Sequence, residues 1–319
     1  MEPAVSILIA TQGRVPQLEQ LLDSLVGQEN REDIPHEILV ANNAQGQASA
    51  AAVEALLHNY RAHEPERWIH VREPIPGKSR ALNRLVPLAN ANLFAFLDDD
   101  VVADENWVQT IKTTFDRDPE IAFVGGRVLP LWDSEPPSWL TSSHWAPLAL
   151  LDYGKEERPI AGQTPPGLLT ANIGVRREVF DEVGKFSPDL QRVKGGIGSM
   201  EDHEFLLRMC RNGKSGIYLP DLITRAAVEP ERMTKAYHRR WHRGHGRFYA
   251  IMRDAEWERS RFRLAGVPGH LYKQTAQQAV MWCARVLKGE TDAAFEQECQ
   301  LRFFYGFFQE RRKRSSDED

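Results

Sequence analysis

The sequence predicts an open, doubly wound α/β sheet followed by a C-terminal helical extension, and three observations support this fold class. Short apolar runs alternate with helical patterns over the first hundred residues, as in parallel sheets covered by helices. The fourth run ends in aspartates at 98–100, where such sheets bind ligands. After Pro230 the pattern is helical, apart from a break near 266–269. We therefore expect a single α/β domain over 1–230, with a mostly parallel central sheet, and a helical extension over 231–319.

The order of the elements follows from the length and spacing of the apolar runs. Strands are predicted at 5–10, 37–41, 68–71, 93–97, 121–124, 168–175 and 223–228. Helices are predicted around 18–25 and at 48–63, 79–88, 104–118, 177–183 and 201–211. Residues 132–167 are rich in proline and tryptophan and have little periodicity, which is typical of a functional loop such as a lid or a binding segment.

Composition excludes several classes of protein. The apolar and charged fractions, 42% and 27%, are those of a folded globular chain, and a formal net charge of -5 argues against nucleic acid as a partner. The cysteines Cys210, Cys283 and Cys299 are too widely spaced for a disulfide framework or a zinc site. No apolar stretch approaches the ~20 residues of a membrane span. We expect a cytoplasmic protein, with peripheral contact at the inner face of a membrane as an open alternative.

The aspartate cluster at the end of the fourth strand is the first candidate site. Asp98, Asp99 and Asp100 repel one another unless a cation or hydrogen-bond donors compensate their charges. Mg²⁺ and Mn²⁺ take carboxylate oxygens and keep positions open for phosphates. The alternative is a solvated acidic turn that caps the next helix, with Asp104 as the N-cap. The position of the cluster directly after an apolar strand favours the metal site.

An ordered set of fragments resembles the family-2 glycosyltransferases of the GT-A fold over about residues 4–235. The fragments lie at 5–11, 37–40, 81–83, 96–100, 125–126 and 200–202. The resemblance implies that the protein transfers a sugar from a nucleoside diphosphate, most simply a UDP-sugar, with inversion at the anomeric carbon. The acceptor, a saccharide, a lipid or a small molecule, is not identified by the sequence.

The same resemblance implies the residues that bind the donor. Asp98 would face the nucleoside and share the Mn²⁺ or Mg²⁺ with Asp100, which would coordinate it together with the diphosphate. Further candidates for donor contacts lie at strand ends and on the helix that follows residue 77, namely Thr11, Asn42, Lys78, Arg80, Asn83 and Asp99.

Two positions depart from the pattern of that family. Asn42 stands where a base-binding aspartate is usual, so the identity of the base is open. Ala226 stands where many members carry a histidine that completes the metal shell. His242 and His245 are the candidates to replace it, and the alternative is that each is an ordinary packed or solvent-exposed histidine.

An inverting transfer needs a base that removes the proton of the acceptor hydroxyl. The resemblance assigns this base to Asp202, with Glu201 as the second candidate. The alternative is that both residues compensate the dipole at the start of their helix.

Aromatic residues give the last site predictions. Trp132, Trp139 and Trp145 are candidates to stack on the acceptor, and the alternative is that they pack the loop onto the domain. An apolar stripe near the C-terminus is predicted to pack on the catalytic domain, with dimerisation or membrane-surface contact as alternatives, and it comprises Phe295, Cys299, Phe303, Phe304, Phe307 and Phe308. Competing functions are a nucleotidyltransferase of related fold and a nucleotide-sugar-binding protein without catalytic activity.

Overall fold

A computed structural model of the chain describes residues 2–28, 34–190, 200–254 and 256–317. By contacts it divides into two compact units, which we describe separately. The first contains residues 2–28, 34–132, 149–190 and 201–228, and the second contains residues 133–148, 200, 229–254 and 256–317. The sequence-based division at residue 230 does not anticipate that 133–148 joins the C-terminal helices.

The first unit is built on a nine-stranded sheet. Its strands are β1 (Val5–Thr11), β2 (His36–Asn42), β3 (Trp68–Arg72), β4 (Leu93–Asp98), β5 (Val101–Ala103), β6 (Phe123–Trp132), β7 (Arg158–Ile160), β8 (Ile173–Arg176) and β9 (Gly216–Val228). Its helices are α1 (Val15–Val26), α2 (Gln47–His63), α3 (Lys78–Leu85), α4 (Trp107–Arg117), α5 (Arg177–Val183) and α6 (Glu201–Arg211).

The sheet is mostly parallel. The hydrogen-bonded order is β3-β2-β1-β4-β8-β6-β9-β5, and β7 pairs with β9. Strands β1, β2, β3, β4, β6 and β9 run in one direction, whereas β5, β7 and β8 run in the other. The central strands are buried along their length, because helices cover both faces of a parallel sheet. The predicted α/β class is confirmed.

Several predicted elements have different bounds in the structure. The predicted strand at 168–175 is confined to β8, and the strand predicted at 223–228 is the second half of β9. Pro220 interrupts the apolar pattern of β9, and the pairing of β6 with β9 shifts register at this point, between Leu219 and Ile223. The segment predicted as an irregular loop contains β7 and two one-turn 3-10 helices, Ser142–His144 and Ala146–Leu148.

The second unit is mainly helical. It contains α7 (Lys235–Met252), a hairpin of β10 (Arg263–Leu264) and β11 (Val267–Pro268), α8 (Gly269–Leu287) and α9 (Thr291–Asp317). The predicted phenylalanine stripe is largely an internal feature, since Phe303, Phe304 and Phe307 are buried with Leu271 of α8. None of the helices that the structure describes combines the length and apolar character needed to cross a bilayer.

Helices α7 and α9 approach each other through two glycines. A Cβ atom added to Gly246 would lie 2.0 Å from the carbonyl oxygen of Phe303, and one added to Gly306 would lie 1.9 Å from that of Arg243. Neither position has room for a side chain, so the two backbones are in direct contact.

Candidate active site

The carboxyl ends of three neighbouring strands meet at one edge of the sheet. Thr11, the last residue of β1, is paired with Asn42 at the end of β2, and Ala10 is paired with Asp98 at the end of β4. Parallel strands bring these ends together because every strand finishes on the same side. The sheet therefore places three of the predicted donor-binding residues along one edge.

Each of the three aspartates after β4 has a basic partner. Lys78 Nζ lies 2.5 Å from Asp98 Oδ1, and the Arg14 guanidinium lies 2.9 Å from Asp99 and 2.5 Å from Asp100. Three carboxylates thus face two cationic groups. The cluster is an ion-paired network and not a solvated turn.

The helix-capping alternative for this segment is wrong. Helix α4 has Asn106 at its N-cap position, with no capping bond from that side chain. Asp104 instead forms an ion pair with Arg225 of β9. The acidic residues after β4 are therefore engaged by tertiary contacts.

Asp99 has a different environment from its two neighbours. Its carboxylate is buried and accepts hydrogen bonds from the hydroxyl of Thr11 at 2.6 Å and from the backbone N–H of Gln12 at 3.2 Å. Burial raises the pKa of Asp99 to about 6, although the guanidinium of Arg14 acts in the opposite direction. Asp99 and Thr11 hold the loop after β1, which carries Arg14 to the edge of the sheet.

Lys78 connects the two acidic motifs of the chain. Its Nζ atom lies 2.5 Å from Asp98 and 4.0 Å from Asp202. Burial acts to lower the pKa of Lys78, but the carboxylates of Asp202 and Asp98 outweigh it and raise that pKa well above the ordinary value. Lys78 therefore carries a positive charge between the predicted donor site and the predicted base.

Asn42 and its neighbour Asn43 both form hydrogen bonds that hold the conformation of nearby loops. The amide of Asn42 is buried, donates to the carbonyl of Ala50 at 2.9 Å and accepts from the N–H of Ala44 at 3.2 Å. Asn43 donates to the carbonyls of Glu73 and Ile75, each at 2.7 Å, and accepts from the N–H of Gly77 at 2.8 Å. Asn43 thus fixes the loop that leads directly to Lys78, a role that the sequence analysis missed.

Asn83 and Arg80, the two other predicted donor-binding residues on α3, have different surroundings. Asn83 exchanges two hydrogen bonds with the backbone of Phe186, at 2.8 and 3.0 Å, and so ties α3 to the segment after α5. The side chain of Arg80 is exposed.

Asp202 is held by Thr170, a residue that the sequence analysis did not single out. The hydroxyl of Thr170 donates to Asp202 Oδ1 at 2.7 Å, and its backbone N–H donates to Oδ2 at 3.2 Å. These two bonds fix the plane of the carboxylate at the start of α6. Thr170 lies in a stretch predicted as a strand, so no local pattern marks it.

Glu201 is buried beside Asp202, and its Oε2 atom has no hydrogen-bond partner among the described residues. Burial raises the pKa of Glu201 to about 8, and the adjacent Asp202 adds to the shift. Glu201 therefore holds its proton at neutral pH, where a protonated carboxyl cannot act as a base.

The histidines predicted as metal ligands lie on α7 in the second unit. His245 is stacked on Trp241, with ring centroids 4.2 Å apart. Burial lowers the pKa of His242 to about 4, and His144 contributes to the shift. Within the described ranges, no group of three or more His, Cys, Asp or Glu side chains is arranged to hold a metal ion. Ala226, where a histidine ligand is common, pairs with Val101 of β5.

The three tryptophans have unequal surroundings. Trp139 packs edge-on against His144, His238 and Phe295 at centroid distances of 5.0 to 5.3 Å. This aromatic cluster belongs to the second unit and supports the packing alternative for Trp139. Trp132 is half-buried at the end of β6 opposite Val228, and Trp145 is half-buried after a 3-10 turn.

Solved glycosyltransferases have a similar fold. The mannosyltransferase PcManGT from Pyrobaculum calidifontis, solved with GDP-Man and Mn²⁺, has a TM-score of 0.62 at 16% identity, over 98% of this chain and 88% of that one. TarS of S. aureus has a TM-score of 0.52 at 15% identity, over 81% of this chain and 44% of that one. At such identities the likeness shows the fold, and the protein has the GT-A fold.

The family follows from the sequence itself. Residues 6–184 match the model of glycosyl transferase family 2, and the chain belongs to this family. A curated relative, the glucosyl-dolichyl phosphate glucuronosyltransferase of Haloferax volcanii, is 26% identical over 136 residues. That alignment spans 43% of this chain and 42% of the relative, so the chain matches less than half of that protein's length.

Proposed function

We propose that the protein is a metal-dependent, inverting glycosyltransferase that uses a nucleoside diphosphate sugar as donor. The observation that carries the proposal is the position of Lys78 between Asp98 and Asp202. Donor binding and proton removal are the two halves of a sugar transfer, and the residues predicted for each lie within reach of one ammonium group. Family membership supports this assignment over a nucleotidyltransferase.

The residues after β4 fit a divalent cation. Asp98 and Asp100 offer hard oxygen ligands and are partly open, with side-chain exposures of 27% and 15%. Both carboxylates pair with positive side chains, Arg14 and Lys78, which a divalent cation would displace or share. A bound Mn²⁺ or Mg²⁺ would supply Lewis acidity that neutralises charge on the leaving diphosphate. PcManGT was solved with Mn²⁺, which supports the same assignment.

Asp202 is the proposed base. As the acceptor oxygen forms its bond to the anomeric carbon, the bond from that carbon to the diphosphate oxygen breaks on the opposite face, and the hydroxyl proton passes to Asp202. Thr170 holds the carboxylate in a fixed plane during this step. Glu201 stays protonated at neutral pH, so it adds no negative charge beside Asp202.

Lys78 and Arg14 have a second proposed role in binding the donor. Each ion-pairs with the aspartates in the structure described here, and a diphosphate brings new negative charge to the same edge of the sheet. Lys78 would then be shared between Asp98 and the phosphate oxygens, where its charge stabilises the leaving group. Trp132 and Trp145 stay the proposed contacts for the acceptor.

Calorimetry with UDP and with GDP, each with and without Mn²⁺, tests the proposal. We expect nucleotide binding to require the cation, and we expect Asp100→Ala to remove most of it. Asp116→Ala is the matched control, because Asp116 also pairs with a basic side chain, Lys112, but is an exposed residue of α4. Equal nucleotide affinity with and without Mn²⁺ would contradict the metal assignment.

A further inference from the structure

Apolar side chains predominate at the exposed positions of α8, whereas a surface helix ordinarily presents polar side chains to water. Ala276, Val280, Cys283, Ala284 and Leu287 recur at helical spacing and are all exposed. Val280 and Leu287 leave 69% and 88% of their surface accessible. The half-buried positions of the same helix include the polar residues Gln274, Thr275 and Gln278 together with Tyr272 and Ala279.

The apolar surface continues into the hairpin that precedes α8. Phe262 and Leu264 are 69% and 57% exposed. The hairpin is joined to the first turns of α8 by hydrogen bonds from the Gly269 N–H to the Phe262 carbonyl and from the Tyr272 hydroxyl to the Leu264 carbonyl. The two segments therefore form one continuous feature of the second unit, which we name the α8 surface (residues 262–288).

Charge distinguishes this surface from an ordinary hydrophobic patch. From Arg259 to Gly289 the sequence has no aspartate or glutamate, and its basic residues are Arg259, Arg261, Arg263, Lys273, Arg285 and Lys288. Arg263 and Arg285 pair with acidic residues outside the stretch, Glu258 and Glu296. The stretch as a whole is positive, although the chain as a whole is negative.

We propose that the α8 surface binds a bilayer that contains anionic lipids. An apolar helix face flanked by lysine and arginine inserts its side chains at the level of the headgroups, while the basic residues pair with lipid phosphates. A second copy of the chain is a poor occupant, because a symmetric contact would place the same positive stretch against itself. The proposed contact is peripheral, through the exposed side chains of the α8 surface.

This site differs from the one expected from the sequence. The phenylalanine stripe of α9 was the predicted alternative for membrane contact, but its central residues are buried in the second unit. Arg311, the first of the basic residues that follow the stripe, is itself buried and ion-paired with Glu258. Most of the large exposed apolar residues of the second unit lie on α8 and in the hairpin before it, where the sequence pattern had predicted only a helix and a break.

Co-sedimentation with vesicles tests the proposal independently of sugar transfer. We expect the full chain to bind vesicles of equal parts phosphatidylcholine and phosphatidylglycerol, and to bind pure phosphatidylcholine at least about tenfold more weakly. The double variant Val280→Ser, Leu287→Ser should lose about tenfold or more of the binding. Leu88→Ser, a change of an exposed leucine in the first unit, is the matched control and should bind as the wild type.

A fluorophore on Cys283 gives a second readout in a chain with an unaltered sequence. Cys283 is exposed on the α8 surface, whereas Cys210 and Cys299 are buried. An environment-sensitive label there should shift to the blue with anionic vesicles. Absence of vesicle binding would overturn the proposal, and so would an unshifted label on vesicle-bound protein. Sedimentation velocity that shows a dimer lost in the double variant would assign the surface to self-association instead.

Discussion

Asp98, Asp99 and Asp100 at the end of β4 pair with two cationic side chains, Lys78 and Arg14, whereas burial raises the pKa of Glu201, which lies beside Asp202 at the start of α6. Both motifs are runs of adjacent carboxyls at the edge of the same unit. In the first motif, the charges are balanced by side chains that a ligand can replace or share. In the second, Glu201 is buried and holds its proton at neutral pH. Neighbouring acidic residues can therefore have different chemical roles, which their environments decide.

The largest effect expected from this difference concerns Asp202. Asp202→Asn keeps the shape of the side chain but removes its basicity, so sugar transfer should fall by about 10²-fold or more while donor binding changes little. Turnover on a true acceptor and calorimetric donor binding measure the two effects. Glu201→Gln is the matched control and should retain transfer at neutral pH, because Glu201 is already protonated there. Wild-type turnover in the Asp202 variant would move the base to another residue.

The Lys78→Gln variant removes the ammonium group that lies between the two acidic motifs. Removing a largely buried partner leaves Asp98 and Asp202 without their nearest positive charge, so we expect a loss of about 2–3 kcal/mol in the free energy of unfolding at neutral pH. Urea denaturation measures it. Lys112→Gln, which removes one partner of an i,i+4 pair on α4, should cost less than about 0.5 kcal/mol. Similar losses in both variants would show that Lys78 acts as an ordinary surface charge.

The proton on Glu201 has a consequence for stability. The carboxyl has an ordinary pKa of 4.5 in the unfolded chain and a pKa of about 8 when folded, so the folded state binds the proton more tightly. Its favourable contribution is complete below pH 4.5 and is lost as the pH rises towards 8. Glu201→Gln should therefore remove a slope of up to about 1 kcal/mol per pH unit over this window. Denaturation curves measured from pH 5 to pH 8 would contradict the assignment if the two chains lost stability in parallel.

The smallest effect concerns Arg14 and metal binding without nucleotide. The guanidinium neutralises Asp99 and Asp100, and so competes with a divalent cation for the same charge. Arg14→Gln should tighten Mn²⁺ binding by about fivefold, on the basis of a change of roughly 1 kcal/mol in a partly exposed site. Calorimetry with Mn²⁺ alone is the measurement. Weaker binding in the variant would mean that Arg14 is needed to shape the site.

The sequence predicted the parallel half of the sheet well because β1, β2 and β4 are short apolar runs that end in polar residues. It predicted Asp98 and Asp202 as site residues, and the structure brings both near Lys78. Arg14, Asn43 and Thr170 were missed, because their roles arise from contacts across the fold. Thr170 and Asp202, for example, are 32 residues apart in the chain. Hydrophobic periodicity indicates the secondary structure of one segment. The contacts of these three residues join segments that are distant in sequence, and they form only when the chain folds.

The glycine contact between α7 and α9 limits how the C-terminal helices can change in length. One residue inserted in α7 between Arg243 and Gly246 would turn the rest of the helix by about 100° and would bring the position of His245 to the contact. An imidazole cannot occupy a space where even a Cβ lies 2.0 Å from the backbone of α9. Substitutions on the exposed faces of these helices are compatible with the contact, but insertions and deletions on either side of it are not. We expect natural length variation in the second unit to be confined to the turns between its helices.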